Sequence, residues 1–338
     1  MATETQTRIT LKYRDTNGFG AATGGRGYSF PVDIAVRSDN RVYVLSRSAS
    51  GSTAGDDIGV TDLEHNWHDN FSGYGAGDGE MQWATAIAFD SNDRLFLADE
   101  KLQRVTIFDT DNKYVTHWGT EGSAPGEFDG PSGLAFDTEG NLLVVDHKNH
   151  RIQRYTPEGE HVSSFGSEGT GDGEFNYPWG ITAAPDGTLY VADWRNDRIQ
   201  RFTNEGDFID GYGVSGGEEG QFNRPSAVTV DGDGYIYVAD WMNHRVQVFD
   251  RDWKFQTLLR GQAGLSPWAA EYLDANEDEK RTRESFNPYP ELDVDDPHEV
   301  SARTEPYFWV PVSLAMYGDN QLLVLETARH RFQIFEKV

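Results

Sequence analysis

The chain repeats itself every 47 residues, and this period constrains its fold more than any other feature of the sequence. Residues 190–198 and 237–245 share the pattern Tyr-Val-Ala-Asp-Trp-x-Asn-x-Arg. The same step links four acidic residues and four arginines, which are Asp99, Asp146, Asp193, Asp240, Arg104, Arg151, Arg198 and Arg245. Such a period indicates repeated structural units that bury their core against one another in a single architecture.

The number of repeats follows from a second interval, the 15 residues from Pro131 to Asp146. The same interval occurs at both ends of the chain, from Pro31 to Ser46 and from Pro311 to Glu326. Ala84 stands in the proline position of the second copy, so the chain holds six copies. Each copy contains four short β-prone runs separated by turn residues. The sequence therefore predicts an all-β fold, a six-bladed β-propeller of four-stranded antiparallel blades.

The repeats also predict where the blades lie and how the ring closes. We place blades one to six at about residues 28–73, 81–119, 128–166, 175–213, 222–260 and 308–338, with an insertion at about 261–307. The last copy ends after its third strand, whereas residues 8–14 form a β-prone run that belongs to no copy. We expect this run to pair with blade six as its fourth strand, within a single domain covering residues 1–338.

Composition narrows the classes of partner. The chain has 29 Lys and Arg residues against 56 Asp and Glu residues, and its net charge is −27. This charge opposes binding to nucleic acid, whose phosphates require cationic groups. Cysteine is absent, which excludes thiolate metal sites and a cysteine nucleophile. No apolar run is long enough to span a membrane. We expect a soluble monomer, cytoplasmic as given or exported if a leader has been removed.

The repeat unit of the chain resembles that of the NHL-repeat family. The NHL unit reads roughly Gly-x-Phe-x-x-Pro, then an apolar strand, then Val-x-Asp-x-x-Asn-His-Arg-Ile. Residues 144–152 and 238–246 follow the second part closely. Among NHL proteins, the peptidyl-hydroxyglycine amidating lyases hold zinc with histidines just after the proline position. This chain has Val32, Thr85, Ser132, Trp179, Ser226 and Val312 there. The resemblance therefore implies the propeller, and it does not imply the zinc site of the lyases.

The residues that recur in most copies are expected to serve the fold. An acidic residue that ends the second strand can accept hydrogen bonds from loop amides and from the arginine that begins the third strand. A residue needed by every blade marks architecture before function. We assign the recurring Asp and Arg residues, together with His150, His244 and His330, to this framework.

Function is expected where the copies differ at positions that the ring brings together. One such position follows the acidic residue, and others start the innermost strand beside the central channel. They predict a pocket at the channel mouth with a polar side and an aromatic side, formed by Asp33, Arg47, Glu100, His147, Trp179, Trp194 and Trp241. In the alternative, the tryptophans only plug the channel and the charges are solvated.

Two insertions point to the same face. The loop at residues 47–57 of blade one is enlarged, and the insertion at 261–307 precedes blade six. Because blades six and one are neighbours in a closed ring, we expect the two insertions to lie side by side as a lid or pocket wall. His298 is the predicted ligand-binding residue of the insertion, together with Arg303 and Glu305.

One segment suggests a metal. Asp274, Asn276 and Asp278 alternate like the start of a calcium loop, but Glu279 and Ser285 depart from the rest of that pattern. The cofactor is therefore unknown, and calcium is favoured over zinc.

Two classes of function remain open. In the first, the mouth is an active site for lyase or hydrolase-type acid/base chemistry on a small molecule. Asp33 or Glu100 would be the base, His147 the proton carrier and Arg47 the anchor, with Trp194 and Trp241 as stacking walls. In the second, the propeller binds a ligand or docks a protein or peptide without catalysis.

Overall fold

The structure, a computed structural model, describes residues 8–19, 26–48 and 55–338. Six four-stranded antiparallel sheets form a ring, so the predicted six-bladed propeller is confirmed. Blade one consists of the strands Pro31–Val36, Val42–Ser46, Asp57–Thr61 and Trp67–Phe71. Blade two consists of Ala84–Phe89, Leu95–Asp99, Arg104–Phe108 and Tyr114–Trp118. Blade three consists of Pro131–Phe136, Leu142–Asp146, Arg151–Tyr155 and His161–Phe165. Blade four consists of Pro178–Ala183, Leu189–Asp193, Arg198–Phe202 and Phe208–Tyr212. Blade five consists of Pro225–Val230, Ile236–Asp240, Arg245–Phe249 and Phe255–Leu259. Blade six consists of Pro311–Tyr317, Gln321–Glu326, Arg331–Lys337 and the N-terminal strand Leu11–Asn17. Two short strands, Val214–Ser215 and Gln221–Phe222, pair in parallel between blades four and five.

The hydrophobic core lies between neighbouring blades. The second strand of blade four, Leu189–Asp193, is buried along its whole length, whereas the outer strand Phe208–Tyr212 alternates between half-buried and exposed residues. One core cluster joins Val145 of blade three to Val191 of blade four. The aromatic or Met residue three positions before each proline position is buried in every blade. Each blade therefore needs its neighbours to cover its two faces, as the repeat predicts.

The N-terminal strand closes the ring by pairing with the last strand of the chain. Its register runs from Leu11 opposite Lys337 to Asn17 opposite Phe332, with a bulge between Tyr13 and Asp15. The predicted closure is confirmed, but the strand begins and ends three residues later than the predicted 8–14. Its polar end is buried because Asn17 has partners there: its Nδ2 donates to the Asp62 carbonyl, and its Oδ1 accepts from the Tyr28 hydroxyl.

The innermost strands are tied to one another around the channel. Four side-chain hydroxyl groups donate across blade boundaries: Thr85 to the Pro131 carbonyl, Ser132 to the Trp179 carbonyl, Ser226 to the Val312 carbonyl and Ser313 to the Asp33 carboxylate. At Gly180 the approach is closer still, because a Cβ atom there would overlap the Ser226 carbonyl oxygen. The residues after the proline position therefore set the diameter of the channel.

The insertion before blade six contains three short helices, which the sequence analysis did not predict. They are α1 (Pro267–Ala275), α2 (Glu277–Glu284) and α3 (Pro297–Arg303). Helix α1 begins at Ser266, whose hydroxyl caps the Ala269 N–H and donates to the Gly18 carbonyl. Trp268 is buried, and its indole N–H donates to the His65 carbonyl of blade one at 2.8 Å.

The insertion thus packs on blade one, as expected from ring closure. The predicted contact with the enlarged loop of blade one involves residues 49–54, which lie outside the described residues. Within the described ranges, no helix combines the length and the apolar character needed to cross a membrane.

Candidate functional site

The acidic residue that ends the second strand is a buried hydrogen-bond centre. Asp193 is fully buried, and its carboxylate accepts hydrogen bonds from the Asn176 amide N–H, the Asn196 side chain and Nε of Arg198 at 2.8 to 2.9 Å. The equivalent residues of blades three and five make the same contacts. These bonds fix the loop between the second and third strands, so the predicted framework role of the recurring Asp and Arg residues is confirmed in blades three to five. In blade two, Asp99 accepts from backbone N–H groups such as that of Gln82, whereas the Arg104 guanidinium donates to backbone carbonyls and not to Asp99.

The last residue of that loop reaches the next blade. In blades three, five and six it is a histidine in the left-handed conformation. Its Nδ1 accepts a hydrogen bond at 3.0 to 3.2 Å from the backbone N–H of the residue just before the next proline position, which we call the pre-proline residue. The pairs are His150 with Tyr177, His244 with Val310 and His330 with Phe30. The predicted framework role of these histidines is also confirmed.

The top face, where the loops between second and third strands open, contains a pocket at the mouth of the channel. Its volume is about 290 Å³. It is lined by Val32, Arg47, Trp83, Thr85, Trp179, Trp194, Ser226, Trp241, Val310, Val312 and Thr327. Four of these were predicted site residues: Arg47, Trp179, Trp194 and Trp241. Every blade except blade three contributes described residues to this lining.

Arg47 is the charged group of the mouth. Its guanidinium carbon lies 4.2 Å from the centroid of the Trp83 ring, which belongs to blade two. Among the described residues no carboxylate lies within 4 Å of this guanidinium, and residues 49–54 of the same loop include no acidic residue. Burial lowers the pKa of Arg47, against the opposing effect of Glu100, Asp56 and Asp99. A partly desolvated cation without an ion pair thus faces the pocket.

The opposite wall is aromatic. The centroids of Trp194 in blade four and Trp241 in blade five are 6.0 Å apart, with the rings inclined by 41°. Both residues occupy the first position of a short 3-10 turn that directly follows a buried second strand. Arg224 lies over the Trp194 ring at 4.6 Å, and Arg195 lies 5.6 Å from it. The two tryptophans are therefore held by the framework turn beneath them and by cations beside them.

Asp33 lies below the mouth, in the channel. The channel has a volume of about 320 Å³ and shares Val32, Thr85, Trp179, Ser226 and Val312 with the mouth pocket. One carboxylate oxygen of Asp33 accepts from the Ser313 hydroxyl at 2.5 Å, and the other accepts from the Ile87 N–H at 2.7 Å. Burial raises the pKa of Asp33 to about 6, although these hydrogen bonds lower it. The predicted mouth carboxylate is thus a group that joins blades six, one and two.

Glu100 and His147 lie together outside the lining of the mouth. Oε1 of Glu100 is 3.6 Å from Nε2 of His147 and 2.9 Å from Nζ of Lys148. Burial raises the pKa of Glu100, but the contacts with His147 and Lys148 outweigh it and lower the pKa to about 2. The His147 ring is buried and stands edge-on to Trp179 at 5.2 Å. The predicted proton carrier and one predicted base are therefore behind the aromatic wall.

A local cause explains the position of His147. Its ring fills the space where blade three would have a pre-proline side chain, because a Cβ atom on Gly130 would overlap the imidazole. The neighbouring pre-proline residue, Tyr177, packs edge-on against the same ring at 5.8 Å. The ring of His147 therefore occupies the space that Gly130 leaves within blade three and contacts Tyr177 and Trp179 of blade four.

His298 lies at the rim, on α3. Its Nδ1 is 3.2 Å from Nε2 of His244, and its ring packs against Trp309 at 6.0 Å. Burial and the neighbouring His298 lower the pKa of His244 to about 4. Arg303 and Glu305 line a second, more open cavity of about 1070 Å³ between the insertion and blade six. None of the three predicted insertion residues, His298, Arg303 and Glu305, is in the lining of the mouth pocket.

The segment with calcium-like spacing is helical, which is a correction to the predicted loop. Asp274 lies in α1, Asp278 in α2, and Asn276 between them. The Asp274 carboxylate is 2.7 Å from Nζ of Lys280, and the Asn276 side chain donates to the Tyr272 carbonyl. Helical geometry turns residues two positions apart to different sides. Across residues 8–19, 26–48 and 55–338, no group of three His, Asp or Glu side chains could hold a metal ion.

Sequence analysis did not identify Trp83, Val310 or Arg224, all of which are pre-proline residues. This position varies as strongly as the two positions that were considered: it holds Phe30, Trp83, Gly130, Tyr177, Arg224 and Val310. In at least three seams it contacts the variable loop residue of the preceding blade, as Trp83 does with Arg47. The variability itself was the available signal.

Comparison with known proteins agrees with the repeat and the fold. Residues 128–155, 175–202 and 222–249 match the NHL repeat, so the chain carries NHL repeats as predicted. No curated protein matches the sequence.

Several solved structures are similar to this one. Virginiamycin B lyase from Staphylococcus aureus has 13% identity and a TM-score of 0.56 over 97% of this chain and 100% of that chain. A streptogramin B lyase has 12% identity and a TM-score of 0.56 over 98% of each chain. A protein of unknown function from Bacteroides thetaiotaomicron has 15% identity and a TM-score of 0.62 over 98% of this chain and 76% of that chain. At such identities the similarity shows the fold alone.

Proposed function

We propose that this NHL-repeat propeller binds, at the mouth of its channel, a small molecule that combines a flat apolar ring with an anionic group. The observation that carries the proposal is the guanidinium of Arg47, which faces the pocket without a carboxylate partner among the described residues. Burying a cation without a counter-ion is costly, and a bound anion would remove that cost.

The aromatic walls of the pocket are the reason for proposing a ligand with a flat apolar ring. Four of the lining residues are tryptophans, Trp83, Trp179, Trp194 and Trp241, and Trp83 is 42% exposed, so its ring is accessible from outside. Stacking of a flat ligand on such side chains contributes about 0.5–1.5 kcal/mol for each ring pair beyond the burial of area. A volume of about 290 Å³ lies at the lower end of the range for ligand pockets. The proposed ligand is therefore no larger than a fused pair of rings with its substituents.

Catalysis by lyase or hydrolase-type acid/base chemistry is the second candidate, and Asp33 is the observation that favours it. A carboxyl group with a pKa of about 6 is suited to take up and release protons near neutral pH, and the channel that holds it is continuous with the mouth. Glu100 is less suited, because a pKa of about 2 makes it a weak base. The fold shared with virginiamycin B lyase is compatible with an enzyme and carries no residue of that enzyme over to this chain. Binding without catalysis stands first because both oxygens of Asp33 already accept hydrogen bonds.

Binding is tested with a matched pair of probes, 1-naphthoate and its neutral analogue 1-naphthamide, followed by quenching of tryptophan fluorescence and by calorimetry. A hydrogen bond to a charged group contributes about 1.5–3 kcal/mol, so the wild-type protein should bind the acid about tenfold to a hundredfold more tightly than the amide. The Arg47→Met variant should bind both probes equally.

The control is Arg251→Met, which removes an exposed arginine from the turn between the third and outer strands of blade five. It should retain the preference for the acid. The proposal is wrong if neither probe shows saturable binding up to millimolar concentration, or if Arg47→Met binds the acid as the wild-type protein does.

A further inference from the structure

Several top-face arginines have aromatic rings rather than carboxylates as neighbours. Within the described part of the chain, no carboxylate lies within 4 Å of the guanidinium groups of Arg47, Arg195, Arg224 and Arg329. Each lies over a ring: Trp83 at 4.2 Å, Tyr177 at 4.3 Å, Trp194 at 4.6 Å and Trp309 at 5.1 Å, respectively. In a chain with 56 acidic residues, cations without acidic partners around one opening call for a specific explanation.

Three of these arginines are on opposite sides of the mouth. Arg47 belongs to blade one, whereas Arg195 and Arg224 are next to Trp194 of blade four. Innermost strands contact in the order one to six and back to one, so blades one and four face each other across the ring. Arg47 and Trp194 line the same pocket. The lining of the pocket therefore has Arg47 on one side and Trp194 on the other, and Arg195 and Arg224 flank the Trp194 ring just outside that lining.

A guanidinium that lies flat on a ring keeps its N–H groups available at its edge. Cation–π contact orients the planar group, and the donors then point along the plane, where a carboxylate can accept two parallel hydrogen bonds. The long-range repulsion of the −27 charge is largely screened beyond about 10 Å in 0.1 M salt. The nearby arginines thus decide whether an anion binds at the mouth.

We propose that the ligand of the mouth is a dianion, with one anionic group bound by Arg47, a second bound by Arg195 and Arg224, and a flat body lying between them against the tryptophans. This inference rests on the proposed function and specifies its ligand class. In the competing explanation, Arg195 and Arg224 only pack on Trp194 and Tyr177 and contribute nothing to binding.

The test uses 2,6-naphthalenedicarboxylate and its monomethyl ester, which have the same ring and differ by one charge. Both Arg195 and Arg224 are exposed, so the second contact should be weaker than a buried one. The wild-type protein should bind the diacid on the order of threefold to tenfold more tightly than the ester, and this ratio should fall as NaCl is raised from 0.05 to 0.5 M. In the double variant Arg195→Gln, Arg224→Gln the ratio should approach one, while Arg251→Gln, the matched control, keeps it.

The outcomes separate this inference from the proposed function. If the wild-type protein binds ester and diacid equally, or if the double variant keeps the wild-type ratio, the dianion assignment is overturned while the pocket for an aromatic anion stands. If neither compound binds, the proposed function itself fails, and the dianion assignment fails with it.

Discussion

Replacing Asp33 by asparagine should change how the stability of the propeller depends on pH. Asp33 joins three blades at the channel wall, and burial raises its pKa from the ordinary 3.8 to about 6. A carboxyl group whose pKa is raised on folding contributes stability that is fully present below pH 3.8 and is lost as the pH rises through 6. Asparagine has no such titration, so the Asp33→Asn variant should lack this loss.

The size of this change in the free energy of unfolding follows from the raised pKa of Asp33. A difference of about 2.2 pKa units corresponds to about 3 kcal/mol when the carboxyl is ionised in both states, since each unit is about 1.4 kcal/mol. At pH 5.0 the unfolded chain is mostly ionised and the folded one mostly protonated, which gives about 1.5 kcal/mol. Relative to wild type, Asp33→Asn should therefore gain about 1.5 kcal/mol between pH 5.0 and pH 7.5. Any hydrogen bond altered by the amide adds a constant that does not affect this difference.

The assay is urea unfolding of both proteins at pH 5.0 and pH 7.5 at fixed ionic strength, with extrapolation to water. Glu100→Gln is the control, because the pKa of Glu100 is lowered to about 2. Its ionised form stabilises the fold above pH 4.5 and loses that effect only as the pH falls towards 2, so this variant should be destabilised by a nearly equal amount at both pH values. If the free energies of unfolding of wild type and Asp33→Asn differ by the same amount at pH 5.0 and pH 7.5, Asp33 is not a buried carboxyl group with a raised pKa.

Three further perturbations test the architecture. Gly180→Ala should cost about 1–3 kcal/mol of unfolding free energy, because the added methyl group overlaps the Ser226 carbonyl, whereas Gly211→Ala, whose nearest atom would be 3.5 Å away, should be nearly neutral in urea unfolding. Deleting residues 1–15 removes most of the closing strand and its buried apolar side chains, so the melting temperature should fall by more than about 5 °C; an unchanged melt would contradict closure by this strand. Trp268→Ala should leave the blades folded but make the insertion sensitive to limited proteolysis, and wild-type resistance would show that α1 is anchored by other contacts.

Much of the fold could be predicted because the repeat states the same structural requirement six times. The buried aromatic or Met position recurs in every blade, and the acidic position recurs in blades two to six, because these residues serve the fold, as the equivalent contacts of Asp146, Asp193 and Asp240 show. The end of the closing strand was missed because Asp15 and Asn17 are residue types that are rare in strands and common in turns. Their burial depends on partners such as the Tyr28 hydroxyl, which are distant in sequence. Local propensity therefore missed the end of the strand, and it also placed the beginning three residues before Leu11.

The site could be predicted less completely, for a different reason. The repeat gives the ring position of a variable residue, but the direction of its side chain depends on what its neighbours leave free. The ring of His147 lies outside the mouth lining because it fills the space beside Gly130, where it packs against Trp179. Glu100 lies beside it, with Oε1 3.6 Å from Nε2 of His147, and forms an ion pair with Lys148 at 2.9 Å. Trp194 and Trp241 begin the same kind of turn as His147, but their rings line the mouth and contact each other there.

The most direct test of the account is a crystal structure of the protein with 1-naphthoate bound. We expect the naphthalene ring at the channel mouth against Trp179, Trp194 or Trp241, with a carboxylate oxygen about 2.7–3.2 Å from the guanidinium of Arg47. A ring at the mouth with its carboxylate turned away from Arg47 would contradict the proposed role of that arginine. Ligand density confined to the cavity beneath the insertion would contradict the assignment of the mouth as the binding site.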